Sequence, residues 1–161
     1  MTSECSTPSR WFVSSLDGRD MALVAGAQAS FTKTLGEIDL HGYAGLSGDQ
    51  HPVHVDAAFA RRTPYGTRVA HGAFLVALMA SAASRLVTRA GETLLVPVSV
   101  DVRFRAPARL GDTVTARVRV LEVDPDGSAS LDASCENQEG VQVAVGRLRL
   151  APLHGRRQCH S

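Results

Sequence analysis

Asp49 and His54 stand five positions apart in the segment from Tyr43 to Ala60, with Pro52 between them. A carboxylate and an imidazole brought together in a partly dry cleft can move protons, because imidazole titrates near neutrality and the carboxylate can orient it or share the transfer. No regular element brings this spacing together. On a continuous helix the two side chains would stand about 140° apart, and on a flat strand they would face opposite sides. Convergence requires an irregular loop, and Gly48 and Pro52 supply one: Gly permits unusual backbone angles, and Pro keeps His51 out of the helical region. Asp56 then serves as N-cap of a short helix through Arg62. Taken by itself, the same composition also fits a polar surface turn.

The rest of the chain must hold that loop in place. Val98, Val100, Val102 and Phe104 alternate with Ser99, Asp101 and Arg103, the period-two pattern of a half-buried strand. Val114, Ala116, Val118 and Val120 alternate in the same way with Thr115, Arg117 and Arg119, as do Ala129, Leu131, Ala133 and Cys135 with Ser130, Asp132 and Ser134. A last strand opens on Val141, Val143 and Val145, and its phase is expected to shift at Gly146 before Leu148 and Leu150. Short connections rich in turn formers make these four strands an antiparallel meander. From Ala73 to Thr88 the sequence is apolar on nearly all sides, with Arg85 its single charge, which predicts a buried helix. Such a helix spans about 24 Å and can lie along a curled sheet. The fold class is therefore α+β, an antiparallel sheet around a central helix.

Composition limits what this assembly can be. Of the 161 residues 44% are apolar and 20% charged, enough for one core. Seventeen basic and sixteen acidic residues leave a formal charge of +1, too balanced for binding nucleic acid by phosphate neutralisation. Cys5, Cys135 and Cys159 have no C-x-x-C spacing and are odd in number, so neither a metal-ligand set nor a closed disulfide framework is expected, and a cytoplasmic home is. The small apolar stretch from Met21 to Ser30 is short for a secretory segment, and no run approaches the ~18 to 20 apolar residues that cross a bilayer, so no membrane partner is expected. Residues 1–30 read as an extension without assigned chemistry, 31–152 as the domain, and 153–161, with His154 and His160 around Gly155-Arg156-Arg157, as a flexible basic tail.

Ser47-Gly48-Asp49, Pro52, His54, Asp56 and Phe59-Ala60, followed by Ala70-His71-Gly72 at the start of the buried helix, resemble the MaoC-like (R)-specific enoyl-CoA hydratase family. The resemblance runs from about Phe31 to Leu150. It implies the hotdog fold, a homodimer or larger assembly, and a hydro-lyase that adds water reversibly across the double bond of a 2-enoyl thioester or, in reverse, dehydrates a 3-hydroxyacyl thioester. It further implies that Asp49 and His54 hold and activate water and deliver a proton to the α-carbon, and that the Gly72 N–H binds the thioester carbonyl. A donor at a helix N-terminus suits that role, since the helix dipole favours an enolate-like oxygen. No metal and no cofactor are implied beyond the thioester itself, carried by coenzyme A or by an acyl carrier protein.

His51 departs from the pattern, because these enzymes often have Asn two positions after the catalytic Asp. It either hydrogen-bonds the water or the carboxylate, or faces solvent as an ordinary loop histidine. Ser47 and His71 are supporting candidates, His71 equally readable as a residue that fixes the turn before Gly72. Tyr43, with His41 on a helix just upstream, reads as packing. Arg103, Arg105, Arg117, Arg119, Arg147 and Arg149 share the outer sheet face, either solvated and partly paired with Asp101 and Asp132, or attracting carrier phosphates. Two other readings stay open: a hotdog thioesterase, disfavoured because the helix carries no Asp or Glu, and a non-hydrating descendant that binds an acyl carrier or cyclises its ligand.

Overall fold

A computed structural model describes residues 23–91 and 95–153. In chain order the elements are β1 (Gln28–Thr34), α1 (Glu37–Ser47), α2 (Pro52–Val55), α3 (Ala57–Arg61), α4 (Gly72–Arg89), β2 (Leu95–Phe104), β3 (Thr113–Val123), β4 (Ala129–Glu136) and β5 (Gln142–Pro152). The strands form one antiparallel sheet in the order β1-β3-β4-β5-β2. Residues 1–22, the end of the chain from His154, and with them Cys5, Cys159, His154 and His160, lie outside the described residues.

The alternation along β3 and β4 decides which face is the core. Val114, Ala116, Val118 and Val120 of β3 and Ala129, Leu131, Ala133 and Cys135 of β4 are all buried, and they meet Leu75, Leu78, Met79, Ala82, Ala83 and Leu86 of α4. Each large side chain buried there contributes roughly 1.5–3 kcal/mol, more than the whole spread of helix propensity among ordinary residues, so α4 is held by burial. The alanines on its inner face let the sheet curl around it. By length and composition its 18 residues, at mean hydropathy 1.2, would also suit a membrane span. Its Leu and Met face is instead occupied by the sheet, leaving a narrow outer stripe at Ala73, Ala77, Ser84 and Thr88 rather than burial all round.

Three features differ from expectation. The meander covers only β3, β4 and β5, because β2 crosses to the far side and pairs with β5. The place beside β3 is taken by β1, which lacks strict alternation and begins within the first thirty residues. Second, most of the apolar row of β2 is not core: Val98 is 56%, Val100 47% and Phe104 54% exposed on this edge strand, and of the row only Val102 packs partly buried against the core. Third, the phase shift in β5 falls at Val143, where the ladder to β4 skips between Cys135 and Glu136 and both Val143 and Ala144 are buried. Gly146 is already in the inward phase, opposite Ala133. Its missing side chain answers a different demand, a close approach by β2.

A Cβ at Gly146 would lie 2.1 Å from the Asp101 carbonyl oxygen and 2.8 Å from Val102 Cα, both backbone atoms that cannot turn aside. Gly146→Ala is therefore expected to lower Tm by roughly 5–10 °C. Gly45→Ala, at a helical position on α1 with nothing within 4 Å, should hold or raise it. Differential scanning calorimetry of the two variants separates a specific steric demand from a general intolerance of Gly replacement.

Candidate active site

The loop carrying Asp49 is built by local hydrogen bonds. Gly48 ends α1 in the left-handed region at φ 77°, its N–H donating to Ala44 O at 2.9 Å. Ser47 Oγ donates to Tyr43 O at 2.7 Å and accepts from Asp49 N–H at 3.2 Å. Ser47 thus braces the turn through the backbone and touches neither the Asp49 carboxylate nor the His54 ring. Asp49 Oδ1 accepts the His51 N–H at 3.1 Å, which leaves Oδ2 to point inward. His51, kept extended by Pro52 at ψ 132°, caps α2 by accepting the Val53 N–H on ring Nδ1 at 3.3 Å. Asp56 is the N-cap of α3, with Oδ1 accepting from Ala58 N–H at 2.8 Å and Phe59 N–H at 3.0 Å. Those bonds hold its carboxyl below the ordinary value.

Within this frame Asp49 and His54 do meet. His54 Nε2 lies 3.9 Å from Asp49 Oδ2, too far for a direct hydrogen bond and close enough for one water to touch both. His54 Nδ1 is 2.8 Å from the Val69 carbonyl oxygen. A carbonyl only accepts, so Nδ1 carries the proton and Nε2 offers a lone pair toward Asp49. His71, 4% exposed, stacks on His54 with ring centroids 3.7 Å apart and planes at 24°. By the same logic its Nε2 donates to the Asp49 carbonyl oxygen at 2.8 Å. It therefore fixes more than the turn before Gly72: it holds Asp49 by its backbone and His54 by its ring. Its Nδ1 finds no hydrogen-bond partner among the described residues. Tyr43 packs on the far side, its ring centroid 5.0 Å from His71 and 5.3 Å from Phe74.

Burial lowers the His54 pKa below the ordinary value, helped by the neighbouring rings of His71 and His51 and opposed by the Val69 carbonyl and Asp49. The ring stays a neutral base into mildly acid conditions. The ligand-capable atoms of Asp49, His54 and His71 lie within 4.8 Å of one another. Because His71 Nε2 commits its proton to the Asp49 carbonyl, the His71 lone pair is on the buried Nδ1 and not on the nitrogen that lies 3.9 Å from Asp49 Oδ2. Cys135 offers no alternative nucleophile, since burial pushes its thiol up to about 12.

Gly72 begins α4, and His71 at the N-cap makes no side-chain bond to the first turn. Gly72 and His54 both line an open cleft of about 480 Å³ with Val53, Tyr65, Phe104 and Pro107. A Cβ at residue 72 would lie 2.8 Å from Phe104 Cζ, so a side chain there would have to displace the ring that covers the helix end.

Two participants had no signal in the sequence. The Arg68 side chain is 10% exposed and paired with Glu37 at the start of α1, and its Nη1 also donates to His41 Nε2 at 3.3 Å. The bond to Arg68 holds the Glu37 carboxyl below its ordinary value. The pair ties α1 to residues 68–70, the segment that presents the Val69 carbonyl to His54. Thirty-one positions separate Glu37 from Arg68, and only the fold brings them together. Among the outer-face arginines, Arg117 pairs with Glu136 at 2.6 Å and Arg149 with Asp124 at 2.5 Å, while Asp132 stands in register between Arg119 and Arg147.

The profile described as MaoC like domain matches residues 22–137. The chain belongs to the MaoC-like dehydratase family. This MaoC-like chain is 38% identical over 104 residues to a 3-hydroxybutyryl-CoA dehydratase of Methylorubrum extorquens, covering 65% of the chain and 64% of that relative's length. It is 29% identical over 126 residues to an (R)-specific enoyl-CoA hydratase of Aeromonas caviae, covering 78% of the chain and 92% of the relative. Among solved structures it superposes on an R-hydratase of Pseudomonas aeruginosa with TM-score 0.74 and 33% identity, covering 82% of this chain and 84% of that one. The (R)-hydratase structure from Aeromonas caviae gives TM-score 0.75 at 27% identity. The fold is thus the hotdog of these hydratases.

The depressed His54 pKa has a measurable consequence for this MaoC-like domain. The unfolded ring binds its proton more tightly than the folded one, so the stability His54 contributes is complete above about pH 6.5 and is lost as pH falls toward the folded value. Urea midpoints measured from pH 8 to 5 should fall more steeply for the wild type than for His54→Gln across that window. Parallel curves would mean that burial does not oppose His54 protonation.

Proposed function

We propose that the chain is a hydro-lyase that adds water to, or removes it from, the 2,3-bond of an acyl thioester. The observation that carries this is the 3.9 Å separation of Asp49 Oδ2 and His54 Nε2 in the same cleft as the start of α4. A water between them donates one proton to His54 Nε2 while Asp49 orients it. As its oxygen bonds to C3 of the enoyl group, the double-bond electrons move toward the thioester carbonyl, and the Gly72 N–H at the positive end of α4 receives the developing oxyanion. The imidazolium, stabilised by Asp49, returns its proton to C2. The proton taken from water thus ends on carbon, and the reverse sequence is the dehydration. This route uses no resident cofactor. Arg105 in the cleft wall supplies positive charge for a phosphate of the carrier, coenzyme A or an acyl carrier protein.

The edge strand β2 supports a further reading, that the working form is a homodimer. Val96, Val98, Val100 and Phe104 are exposed on a strand with one unpaired edge, which a second copy in antiparallel register would cover. Phe104 belongs to both this edge and the cleft, so pairing would wall the site. No Asp or Glu occurs on α4 from Gly72 to Arg89, which leaves the thioesterase alternative without a carboxylate on the helix.

Hydration of crotonyl-CoA, followed by loss of enoyl absorbance, tests the first reading. Asp49→Asn and His54→Gln should each lower kcat/KM by roughly 10²- to 10⁴-fold with the fold unchanged by circular dichroism, and the double variant should be little worse than either single. Wild-type activity that survives Asp49→Asn would overturn the assigned roles. Light scattering tests the second: a mass near twice 17.1 kDa is expected, and Val98→Asp with Val100→Asp should halve it. A wild-type mass of one chain refutes the dimer.

A further inference from the structure

His51 stands where the Asp49 loop meets α2 and is bonded to both. Its backbone N–H holds Asp49 Oδ1 at 3.1 Å, and its ring Nδ1 accepts the Val53 N–H at 3.3 Å. Pro52 has no N–H, so Val53 supplies the first donor of α2, and the His51 ring is the group that satisfies it. α2 has only four residues and His54 is its third. A helix this short has little cooperative support, and one cap is a large share of what fixes its orientation. The His51 ring also meets Phe59 of α3 edge-on, centroids 6.0 Å apart, and His54 at 6.2 Å. The ring is exposed, with one edge toward the element that carries His54 and another toward the one that follows it.

We propose that His51 is a positioning residue: its uncharged ring caps α2 and so sets His54 against Asp49, and a proton gained at Nδ1 removes the cap and with it part of the turnover. The two states exclude each other, because the single Nδ1 lone pair either accepts the Val53 N–H or binds a proton. While the cap is made, the ring proton is on Nε2, which the cap does not use. The charged groups around the ring are Asp49 on the loop, His54 on α2 with His71 stacked behind it, and Arg62, whose guanidinium carbon lies 6.0 Å over the Phe59 ring. Asn at this position would keep a short acceptor without a titrating group, so it separates capping from protonation.

The kinetic half of this inference rests on the hydro-lyase reading above; the structural half does not. In NMR spectra of the full chain from pH 5 to 8.5, the His51 ring and the Val53 amide should titrate with one shared midpoint, and the Val53 transition should vanish in His51→Asn. In crotonyl-CoA hydration, His51→Ala should lower kcat about five-fold at pH 8 with little change in KM, the equivalent of one lost cap. His51→Asn should recover most of that loss and lack the step in the acid limb that falls at the shared midpoint. A Val53 amide that ignores the His51 ring overturns the inference whether or not the enzyme hydrates crotonyl-CoA. So does a His51→Asn variant that keeps the same acid limb. Coupled NMR titrations in a protein without hydratase activity would sustain the cap and refute only the reaction.

Discussion

His54 is anchored to a carbonyl from another part of the chain, and the site depends on that anchor. The bond from His54 Nδ1 to Val69 O fixes which nitrogen keeps its proton, and hence which one faces Asp49 with a lone pair. Val69 is itself fixed, because its N–H donates to Val53 O and it forms an isolated antiparallel bridge with Arg109 in the connection between β2 and β3. Arg68, one residue earlier, is pinned to Glu37 on α1. Three separate segments thus converge on one backbone oxygen. If that oxygen moved by the length of a hydrogen bond, the imidazole could turn over and the base would become a donor.

The stack of His71 on His54 completes this control from the other side. It covers one face of the His54 ring, whose burial is the leading reason its pKa falls, and it places a second ring where another positive charge would be opposed. His71 also takes the Asp49 backbone, so the distance between acid and base is set by one rigid side chain at the start of the longest helix. That helix is held by its apolar face, which ties the geometry of the reacting pair to core burial. Among the described residues the Nδ1 of His71 has no hydrogen-bond partner, and a buried polar atom without a bond typically loses about 1–3 kcal/mol. Stability is given up where the position of two groups matters more.

How much of this could be read from the residues varies with the range of the interaction. Asp49, His54 and the loop between them were legible because Gly48 and Pro52 act locally, and the cap at Asp56 likewise. The strands β3 and β4 were legible because one face of each is fully buried. β2 carries the same alternation and was misleading, since period-two patterning says that one face is apolar and not which molecule covers it. The bulge at Val143 hid behind a run of valines that fits either phase. Glu37 and Arg68 were invisible, as no local rule links two charges that far apart in sequence.

Gly72 shows how these ranges combine. Its place at the head of an apolar segment suggested a helix start with free donors, a local inference. The structure adds that Phe104 from the edge strand lies against it, so close that a side chain at residue 72 would have to push the ring aside. A donor meant for a developing oxyanion is useful only in a dry setting, where its field is not screened by water. In one chain Phe104 is 54% exposed and the cleft is open. The apolar row on β2 that the core does not use is therefore best understood together with the site: the surface that asks for a second copy is the same one that would remove solvent from the Gly72 N–H. On the proposed dimer and the proposed mechanism, assembly and transition-state stabilisation share a single residue, and a change at Phe104 would be felt in both.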